Sequence, residues 1–236
     1  AHIPPGIWPT PLSGQSYLKL LHLPAMLRYG FNSMWVASLT TLGQVLLCAM
    51  AGYGFARLKF KGQQALFFLF LATLIIPPQV NIVPLFWLMA RLGWVDTYAA
   101  LIVPGLFSAF GVFLLRQWFT QLPTELEEAA RLEGCNPWQV FWHIALPYAK
   151  PALAALALLA FAGSWNNFMW PLVATQSDTM RTLPVGIAAL KSSYRDGSDW
   201  GLLMAACSAC VLPLVGLFCV MQKTLLYNLM HGAGKE

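Results

Sequence analysis

Charged residues are scarce in this sequence. Asp, Glu, Lys and Arg make up 10% of its 236 residues, against about 25% in ordinary soluble domains. The charges are also clustered, so that five long stretches contain no Asp, Glu, Lys, Arg or His: residues 29–56, 62–90, 97–115, 151–177 and 200–222. A soluble all-helical protein with a large core would need polar residues at the helical period, which these stretches lack. The composition therefore favours a membrane protein.

Groups that carry chemistry are also absent from the charge-free stretches. These stretches contain no carboxylate, lysine or histidine. They therefore lack the ionisable side chains with which a proton-coupled carrier ordinarily binds protons. They also lack the general base that a hydrolase needs. The chain has no G-x-x-x-x-G-K-[ST] sequence, so it lacks this ATP phosphate-binding motif. Cys207 and Cys210 share a helix face, but with no His or carboxylate nearby we interpret them as packing residues rather than metal ligands. We predict no catalytic residue, metal or cofactor in this chain.

Each charge-free stretch is long enough to cross a membrane, because a transmembrane helix needs about 20 mainly apolar residues. We therefore predict an all-α, polytopic transmembrane helical bundle with five spans. Lys and Arg accumulate in cytoplasmic loops, and Arg57, Lys59 and Lys61 form a cluster with no acidic residue nearby. This predicts that their loop lies in the cytoplasm. Alternation then places residues 116–150 and the C-terminus inside as well.

An odd number of spans places the N-terminal segment on the extracytoplasmic side. This segment has no apolar run able to act as a signal peptide or a crossing, so we expect an earlier sixth helix that this chain lacks. The predicted organisation is an extracytoplasmic segment, a transmembrane domain with a cytoplasmic loop, and a cytoplasmic tail: residues 1–28, 29–226 with the loop at 120–147, and 227–236. The net charge of +5 is ordinary for an inner-membrane protein and does not indicate nucleic acid.

The loop at 120–147 carries local signals for a helix followed by a turn. Thr124 and Glu127 match a capping box, in which the hydroxyl accepts from a backbone N–H and the glutamate reaches back to the cap. Glutamates in the first turn suit the positive end of the helix dipole. Gly134 suits a left-handed residue at the helix C-terminus. These signals predict a short helix that ends near Gly134.

A second helix is predicted directly after the turn. Asn136 followed by Pro137 is typical of a helix cap and first position, and we expect Pro147 to end the helix. The aromatic residues Trp138, Phe141 and Trp142 form a stripe that could pack on the membrane helices or lipid headgroups, while the small face made by Leu126, Ala129 and Ala130 could receive a partner. The alternative is an amphipathic helix lying on lipid, which its acidic first turn disfavours.

The same loop resembles the cytoplasmic E-A-A loop of the integral membrane subunits of binding-protein-dependent ABC importers, and we call residues 120–147 the EAA loop. The motif residues stand at the family's spacing: Glu128, Ala129, Ala130, Gly134, Ile144, Leu146 and Pro147. Further stretches are similar to the maltose-type carbohydrate branch: "AGYGFARLKFKG" (51–62), "FGVFLLRQWF" (110–119), "WNNFMWPL" (165–172), "RTLPVG" (181–186) and "DWGLLMAA" (199–206).

The resemblance implies an ABC importer permease fold with six helices and both ends in the cytoplasm. It implies a transport subunit rather than an enzyme, in a bacterial or archaeal inner membrane. The implied partners are a sibling permease subunit, a cytoplasmic ATPase dimer that binds ATP and Mg, an extracytoplasmic sugar-binding protein and the lipid bilayer. The motif residues of the EAA loop would then couple the permease to the ATPase. The alternative is a membrane scaffold that recruits a cytoplasmic partner without transport; an intramembrane enzyme is a more distant one.

Uncharged polar residues within the spans are candidates for the substrate path. Gln79 and Asn81 lie in the proline-rich stretch 75–84, which indicates either a broken helix lining a cavity or a kinked end at the outer surface. Asn166 and Asn167, beside Trp165 and Trp170, suit contacts with sugar hydroxyls, although tryptophans near a membrane boundary are often interfacial anchors. Asn167 stands where the family commonly has Asp.

The predicted outer segment 173–200 is the longest external connection and carries charges of both signs. It resembles the loop by which the family contacts the substrate-binding protein. A solvated connector is the alternative.

Overall fold

The computed structural model describes residues 14–193 and 200–232, with side chains for residues 14–190 and 200–220. Every regular element in these ranges is helical, which confirms the all-α prediction. The α-helices are α1 (Gln15–Leu21), α2 (Pro24–Arg57), α3 (Gln63–Ala72), α4 (Ile82–Arg91), α5 (Tyr98–Ile102), α6 (Ala109–Thr120), α7 (Thr124–Leu132), α8 (Pro137–Val140), α9 (Leu146–Tyr148), α10 (Lys150–Trp165), α11 (Met169–Ala174), α12 (Leu183–Ser193) and α13 (Trp200–Gly232).

Shorter helical turns connect several of these helices. The 3-10 turns are Thr73–Ile75, Pro78–Asn81, Val103–Gly105 and Asp178–Met180, and a π-helical turn occupies Phe141–Ala145.

Two helices are long and apolar enough to cross a membrane unaided, namely α2 and the Trp200–Val220 part of α13. The described residues contain up to 5 spans if each of three bent helix pairs counts as one. The pairs bend by 93° between Ile75 and Pro78, by 42° between Gly105 and Ala109, and by 77° between Tyr148 and Lys150. Apolar composition thus located the membrane-spanning stretches, but most of them are broken rather than straight.

The sharpest break has its cause in two consecutive prolines. Ile76 and Pro77 both adopt extended backbone conformations, as expected because a proline disfavours the α conformation in the residue before it. Pro78 then starts the next helical turn, a position where a missing N–H costs nothing. The sequence prediction of a broken helix therefore agrees with the backbone here. Pro84, by contrast, lies within the first turn of α4 and does not break it.

α2 is the central helix and packs against α6 and α10. Small residues allow the close approach of α2 and α6, as is common between helices in membranes. A Cβ atom on Gly52 would lie 3.0 Å from the backbone N of Arg116 in α6. In the same interface, a Cβ atom on Gly111 would lie 2.9 Å from Sγ of Cys48. A larger residue at either position would push the two helices apart.

Polar contacts between distant segments gather in two places, which we name the Asp178 end and the Glu127 end. At the Asp178 end, Arg28 pairs with Asp178 at 2.7 Å. At the Glu127 end, Arg57 pairs with Glu127 at 3.4 Å. The loops that we predicted to lie outside therefore meet one another, and so do the loops that we predicted to lie inside.

The predicted segment boundaries do not coincide with helix ends. α2 begins at Pro24, so it runs through the boundary placed after residue 28. α13 continues to Gly232, so the predicted tail at 227–236 begins inside a helix. Residues 1–13, 194–199 and 233–236, parts of the predicted N-terminal segment, outer segment and tail, lie outside the described residues.

Candidate functional site

A cavity of about 740 Å³ lies between α2, α6, α10, α11 and the turn that precedes α4. Its lining contains no Asp, Glu, Lys, Arg or His. The polar residues of the lining are Thr40, Gln44, Gln79, Ser108, Ser164, Asn166 and Asn167. The lining also contains four aromatic residues, Phe107, Phe110, Phe168 and Trp170, and the rest of it is aliphatic residues, proline and glycine. Uncharged hydrogen-bonding groups beside flat apolar rings can bind a neutral polyhydroxylated molecule.

Three of the four residues predicted for a substrate path meet in this cavity. Gln79, Asn166 and Asn167 line it, whereas Asn81 is exposed and lies outside the lining. The sequence reasoning missed the other polar residues, Thr40, Gln44, Ser108 and Ser164. Thr40, Gln44 and Ser164 are single hydroxyl or amide groups in apolar helices, and nothing local distinguishes them from residues that face lipid or a neighbouring helix. Ser108 is the N-cap of α6, where its side chain accepts from the Gly111 N–H at 3.2 Å.

The two asparagines use part of their hydrogen-bonding capacity within the chain. The Asn166 amide donates to the Ala162 carbonyl at 2.9 Å. The Asn167 carbonyl oxygen accepts from the backbone N–H of Trp170 at 3.4 Å. Among the described residues, the Asn166 carbonyl oxygen and the Asn167 amide have no partner, so each residue keeps one group for a ligand.

The neighbouring tryptophans have structural roles. Trp165 is 2% exposed, and its indole N–H donates to the Cys210 carbonyl at 2.9 Å. Trp170 donates to the Ala100 carbonyl at 2.8 Å and is also buried. Both rings are therefore fixed by packing and by a hydrogen bond of the indole. Of the two, Trp170 alone contributes to the cavity lining.

The first helix of the EAA loop does not begin with the predicted capping box. α7 starts at Thr124, its cap is Pro123, and the cap makes no side-chain hydrogen bond. Glu127 is buried and turns towards α2, where Arg57 and Tyr53 are its neighbours. The prediction was wrong because these distant partners attract the carboxylate more strongly than the local N-terminus of α7 does.

The turn at Gly134 has the predicted form. Gly134 has φ 86°, in the left-handed region that favours glycine. Its N–H donates to the Arg131 carbonyl at 3.0 Å, and the N–H of Cys135 donates to the Ala130 carbonyl at 3.0 Å. These two bonds define a Schellman motif, which satisfies carbonyls at the end of α7. A Cβ atom at Gly134 would have no other atom within 4 Å, so only the backbone conformation restricts this position.

The second helix begins as predicted and ends later. The Asn136 side chain accepts from the Gln139 N–H at 2.9 Å, and the Gln139 side chain accepts from the Asn136 N–H at 2.8 Å. Pro147 does not end the helix, because it lies inside α9. A proline ring clashes with the carbonyl four residues earlier in an α-helix, and the preceding π-turn, which is wider, relieves that clash. The chain bends at Ala149 instead.

The EAA loop divides its side chains between the helical bundle and the surface, partly as predicted. Among the aromatic residues, only Phe141 is buried, and its ring packs on Tyr53 at 5.3 Å. Ala130 faces the bundle, whereas Glu128, Ala129 and Gly134 are exposed. Ile144 and Leu146 are partly buried and Pro147 is exposed. The exposed large apolar residues of the loop are Leu126, Leu132, Trp138 and Trp142.

Beside α7 lies a second cavity of about 390 Å³ with a charged lining. Arg57 and Glu127 form part of its wall, and both side chains are largely buried, 11% and 8% exposed. The remaining charged residues of the lining are Lys59, Glu128 and Arg131. The Tyr53 hydroxyl donates to Glu127 at 3.4 Å, and Arg57 donates to the Leu122 carbonyl. Arg131 lies 4.0 Å from the second Glu127 oxygen and is exposed.

The Asp178 end is held by hydrogen bonds. Asn32 is 1% exposed. Its side-chain amide donates to the Thr179 carbonyl at 2.8 Å and to the Arg181 carbonyl at 2.9 Å. Its side-chain oxygen accepts from the Tyr98 hydroxyl at 2.7 Å. Asp96 has φ 63°, and its carboxylate accepts from the backbone N–H groups of residues 176 and 177. Burial acts to raise the pKa of Asp96, but these N–H groups together hold that pKa below its ordinary value.

The geometry defines a class of protein: a helical membrane protein with broken spans around an uncharged cavity and a surface helix–turn–helix that exposes apolar side chains. The model of the family described as binding-protein-dependent transport system inner membrane component matches residues 44–226, and the chain belongs to this family. The resemblance seen in the EAA loop is thereby confirmed.

Two relatives and one solved structure are similar to the chain. It is 40% identical over 204 residues to the arabinooligosaccharides transport system permease protein AraQ of Halalkalibacterium halodurans, covering 86% of this chain and 72% of the relative. It is 35% identical over 193 residues to the sn-glycerol-3-phosphate transport system permease protein UgpE of Yersinia enterocolitica, and the match covers 82% of this chain and 69% of the relative. The fold matches a crystal structure of a bacterial ABC transporter involved in the import of alginate, with a TM-score of 0.81 and 22% sequence identity. This match covers 94% of this chain and 84% of the matched chain.

Proposed function

We propose that this chain is one of two membrane-spanning subunits of an ATP-driven carbohydrate importer, and that its EAA loop binds a cytoplasmic ATPase. The observation that carries the proposal is the EAA loop itself. It lies within residues 44–226, which the family model matches, its turn is fixed at Gly134, and Leu132 beside that turn is 90% exposed. A rigid loop with exposed apolar side chains is suited to bind another protein.

The orientation follows from the basic cluster at Arg57, Lys59 and Lys61, which places the Glu127 end in the cytoplasm. The chain then crosses the membrane five times, counting each bent helix pair as one span. A sibling permease completes the membrane part, and an extracytoplasmic binding protein delivers the sugar at the Asp178 end. ATP and Mg bind to the ATPase and not to this chain.

The uncharged cavity forms part of the sugar's route. Its hydroxyl and amide groups suit the hydroxyls of a neutral sugar, and its aromatic rings suit the apolar face of the sugar ring. No cationic side chain of the lining would balance a phosphate or a carboxylate. This chain's part of the route therefore suits a neutral carbohydrate better than the glycerol phosphate and the acidic alginate named for two of the similar proteins.

The test replaces Gly134 and follows ATP-dependent uptake by the complete importer. Gly134→Trp places a bulky side chain at an exposed position that the loop presents to the ATPase, so uptake is expected to fall at least about tenfold, as at interface hot spots. Gly134→Asn is the matched control, because asparagine tolerates the left-handed conformation. Membrane insertion should be equal for both variants, as measured by protein recovered in the membrane fraction.

Normal uptake by Gly134→Trp would contradict the binding role of the loop. The same assay compares a neutral oligosaccharide with glycerol phosphate and with an acidic oligosaccharide, and only the neutral substrate is expected to be taken up. A membrane scaffold would show no ATP-dependent uptake at all and would not co-purify with an ATPase and a sibling permease in a fixed ratio.

A further inference from the structure

We infer that the buried Arg57–Glu127 ion pair is the link through which movement of the EAA loop reaches α2 and the cavity. This inference rests on the proposed function, because the movement would be driven by the ATPase. α7 buries two residues, Glu127 and Ala130. Since Ala130 offers only a methyl group, Glu127 provides the polar attachment of α7 to the helical bundle.

Arg57 contacts the chain both before and after the start of α7. Arg57 Nε lies 3.4 Å from Oε1 of Glu127, while the same guanidinium donates to the carbonyl of Leu122 just before α7. The Tyr53 hydroxyl, one turn earlier on α2, lies 3.4 Å from the same carboxylate oxygen. These contacts join the last turn of α2 to the chain on either side of the start of α7.

Charge, and not a short hydrogen bond, connects the two residues. Arg57 Nε has no hydrogen-bond partner among the described residues, and its 3.4 Å contact with Glu127 exceeds the roughly 2.7–2.9 Å of a charge-assisted hydrogen bond. The attraction between the charges persists over such small changes in distance. The link can therefore survive a small shift of α7 and still pull on α2.

Stability alone does not account for a charged pair at this position. Replacing a buried ion pair by apolar residues of similar volume is often neutral or stabilising. The surroundings would accept apolar residues, since Tyr53, Phe119 and Phe141 form a buried cluster next to the pair. Apolar contacts are not directional, so they hold α7 on the bundle without fixing its position along α2. The ion pair instead draws α7 towards one point on α2, and small shifts about that point do not break it.

α2 connects this end of the molecule to the cavity. Thr40 and Gln44 line the cavity and lie on the same unbroken helix as Arg57, about 20–25 Å away along its axis at 1.5 Å per residue. A displacement of Glu127 is thus transmitted by a rigid element to two residues that face the substrate route.

The experiment separates the coupling role from a stabilising role. Arg57→Met and Glu127→Leu each leave one buried charge without its partner, and the double variant removes both charges at similar volume. Lys61→Met is the matched control for Arg57→Met, because Lys61 is an exposed basic residue just after α2 and outside the EAA loop. The purified importer, reconstituted with its ATPase, is measured for melting temperature and for sugar taken up per ATP hydrolysed.

Each single variant is expected to melt at a lower temperature and to lose about tenfold or more in sugar per ATP, since breaking a buried pair leaves an uncompensated charge. The double variant should regain the melting temperature but not the sugar per ATP, and the Lys61→Met control should match the wild type. A double variant that also regains wild-type sugar per ATP would overturn the inference, because the pair would then be merely structural.

If the double variant does not assemble, a further variant tests whether the ion pair has a coupling role. Arg57→Lys keeps the positive charge, so it should retain at least about half of the wild-type sugar per ATP if charge carries the link. A loss as large as that of Arg57→Met would overturn the inference. A wild-type chain that co-purifies with no ATPase would contradict the proposed function and this inference with it, whereas wild-type coupling in the double variant contradicts this inference alone.

Discussion

The two ends of the molecule are held together differently. At the Asp178 end, many hydrogen bonds between polar groups join segments that are far apart in the sequence. At the Glu127 end, one buried ion pair and a cluster of apolar rings attach a loop whose outer surface is apolar. Asn32 bonds to three partners at the first end. Leu132 and Trp138 are exposed at the second. The first end joins its segments through polar groups within the chain, while the second exposes apolar surface that suits contact with another protein or with lipid.

The largest effect is expected at the Glu127 end, from the buried aromatic residue Phe141 of the EAA loop. Phe141→Ala removes a buried ring and should destabilise the chain by about 3–5 kcal/mol. Trp138→Ala removes a ring that is 59% exposed, so the free energy of unfolding should change by no more than about 0.5 kcal/mol. Trp138→Ala should instead weaken binding to the ATPase. Unfolding in detergent and ATPase co-purification measure the two effects. Equal loss of stability in both variants would remove the distinction between a buried and a binding side of this loop.

A smaller loss of stability is expected at the Asp178 end from Asn32→Ala. The substitution leaves buried groups of Thr179, Arg181 and Tyr98 without their partner, and an unsatisfied buried group costs about 1–3 kcal/mol. We expect a loss of about 3 kcal/mol in the free energy of unfolding, with ATPase binding unchanged. Asn81→Ala is the control, because Asn81 is exposed. A variant that unfolds like the wild type would show that the hydrogen bonds of Asn32 do not hold this end together.

The smallest effect is expected from Gly186→Ala, also at the Asp178 end. A Cβ atom at residue 186 would lie 2.1 Å from Cδ2 of Tyr29, a buried ring whose hydroxyl donates to Asp178. Forcing this ring to shift should cost about 2 kcal/mol, measured as a lower melting temperature. Gly30→Ala is the matched control, since no other atom lies within 4 Å of its added Cβ and alanine favours a helix over glycine. If both variants melt alike, the packing of α12 on α2 is looser than the structure shows.

Local features of the loops could be predicted when their partners are close in sequence. The left-handed turn at Gly134 and the cap at Asn136 depend on backbone groups a few residues away, so short-range preferences suffice. The capping box at Thr124 failed although its sequence pattern was equally good, because Glu127 has competing partners in Tyr53 and Arg57. A pattern of neighbouring residues contains no information about a competitor on another helix.

In the candidate cavity, too, some residues could be predicted from their neighbours in sequence and others could not. Amides next to prolines or tryptophans stand out in the sequence, which is how Gln79, Asn166 and Asn167 were found. Thr40 and Gln44 lie in an apolar helix without such signals, and only the arrangement of the bundle brings them to the cavity. Asn81 is two residues from Gln79, yet the turn directs it to the surface.

The sequence by itself determined that the chain is helical, that five apolar stretches suit a bilayer, where prolines break one of them, and how the turn at Gly134 is formed. Each of these follows from solvation or from backbone geometry over a few residues. Only the tertiary structure decided that Glu127 pairs with Arg57, that Asn32 joins three segments, and which polar residues share the cavity. These depend on the packing of helices that are distant along the chain, and such contacts are fixed by the shape of the whole bundle.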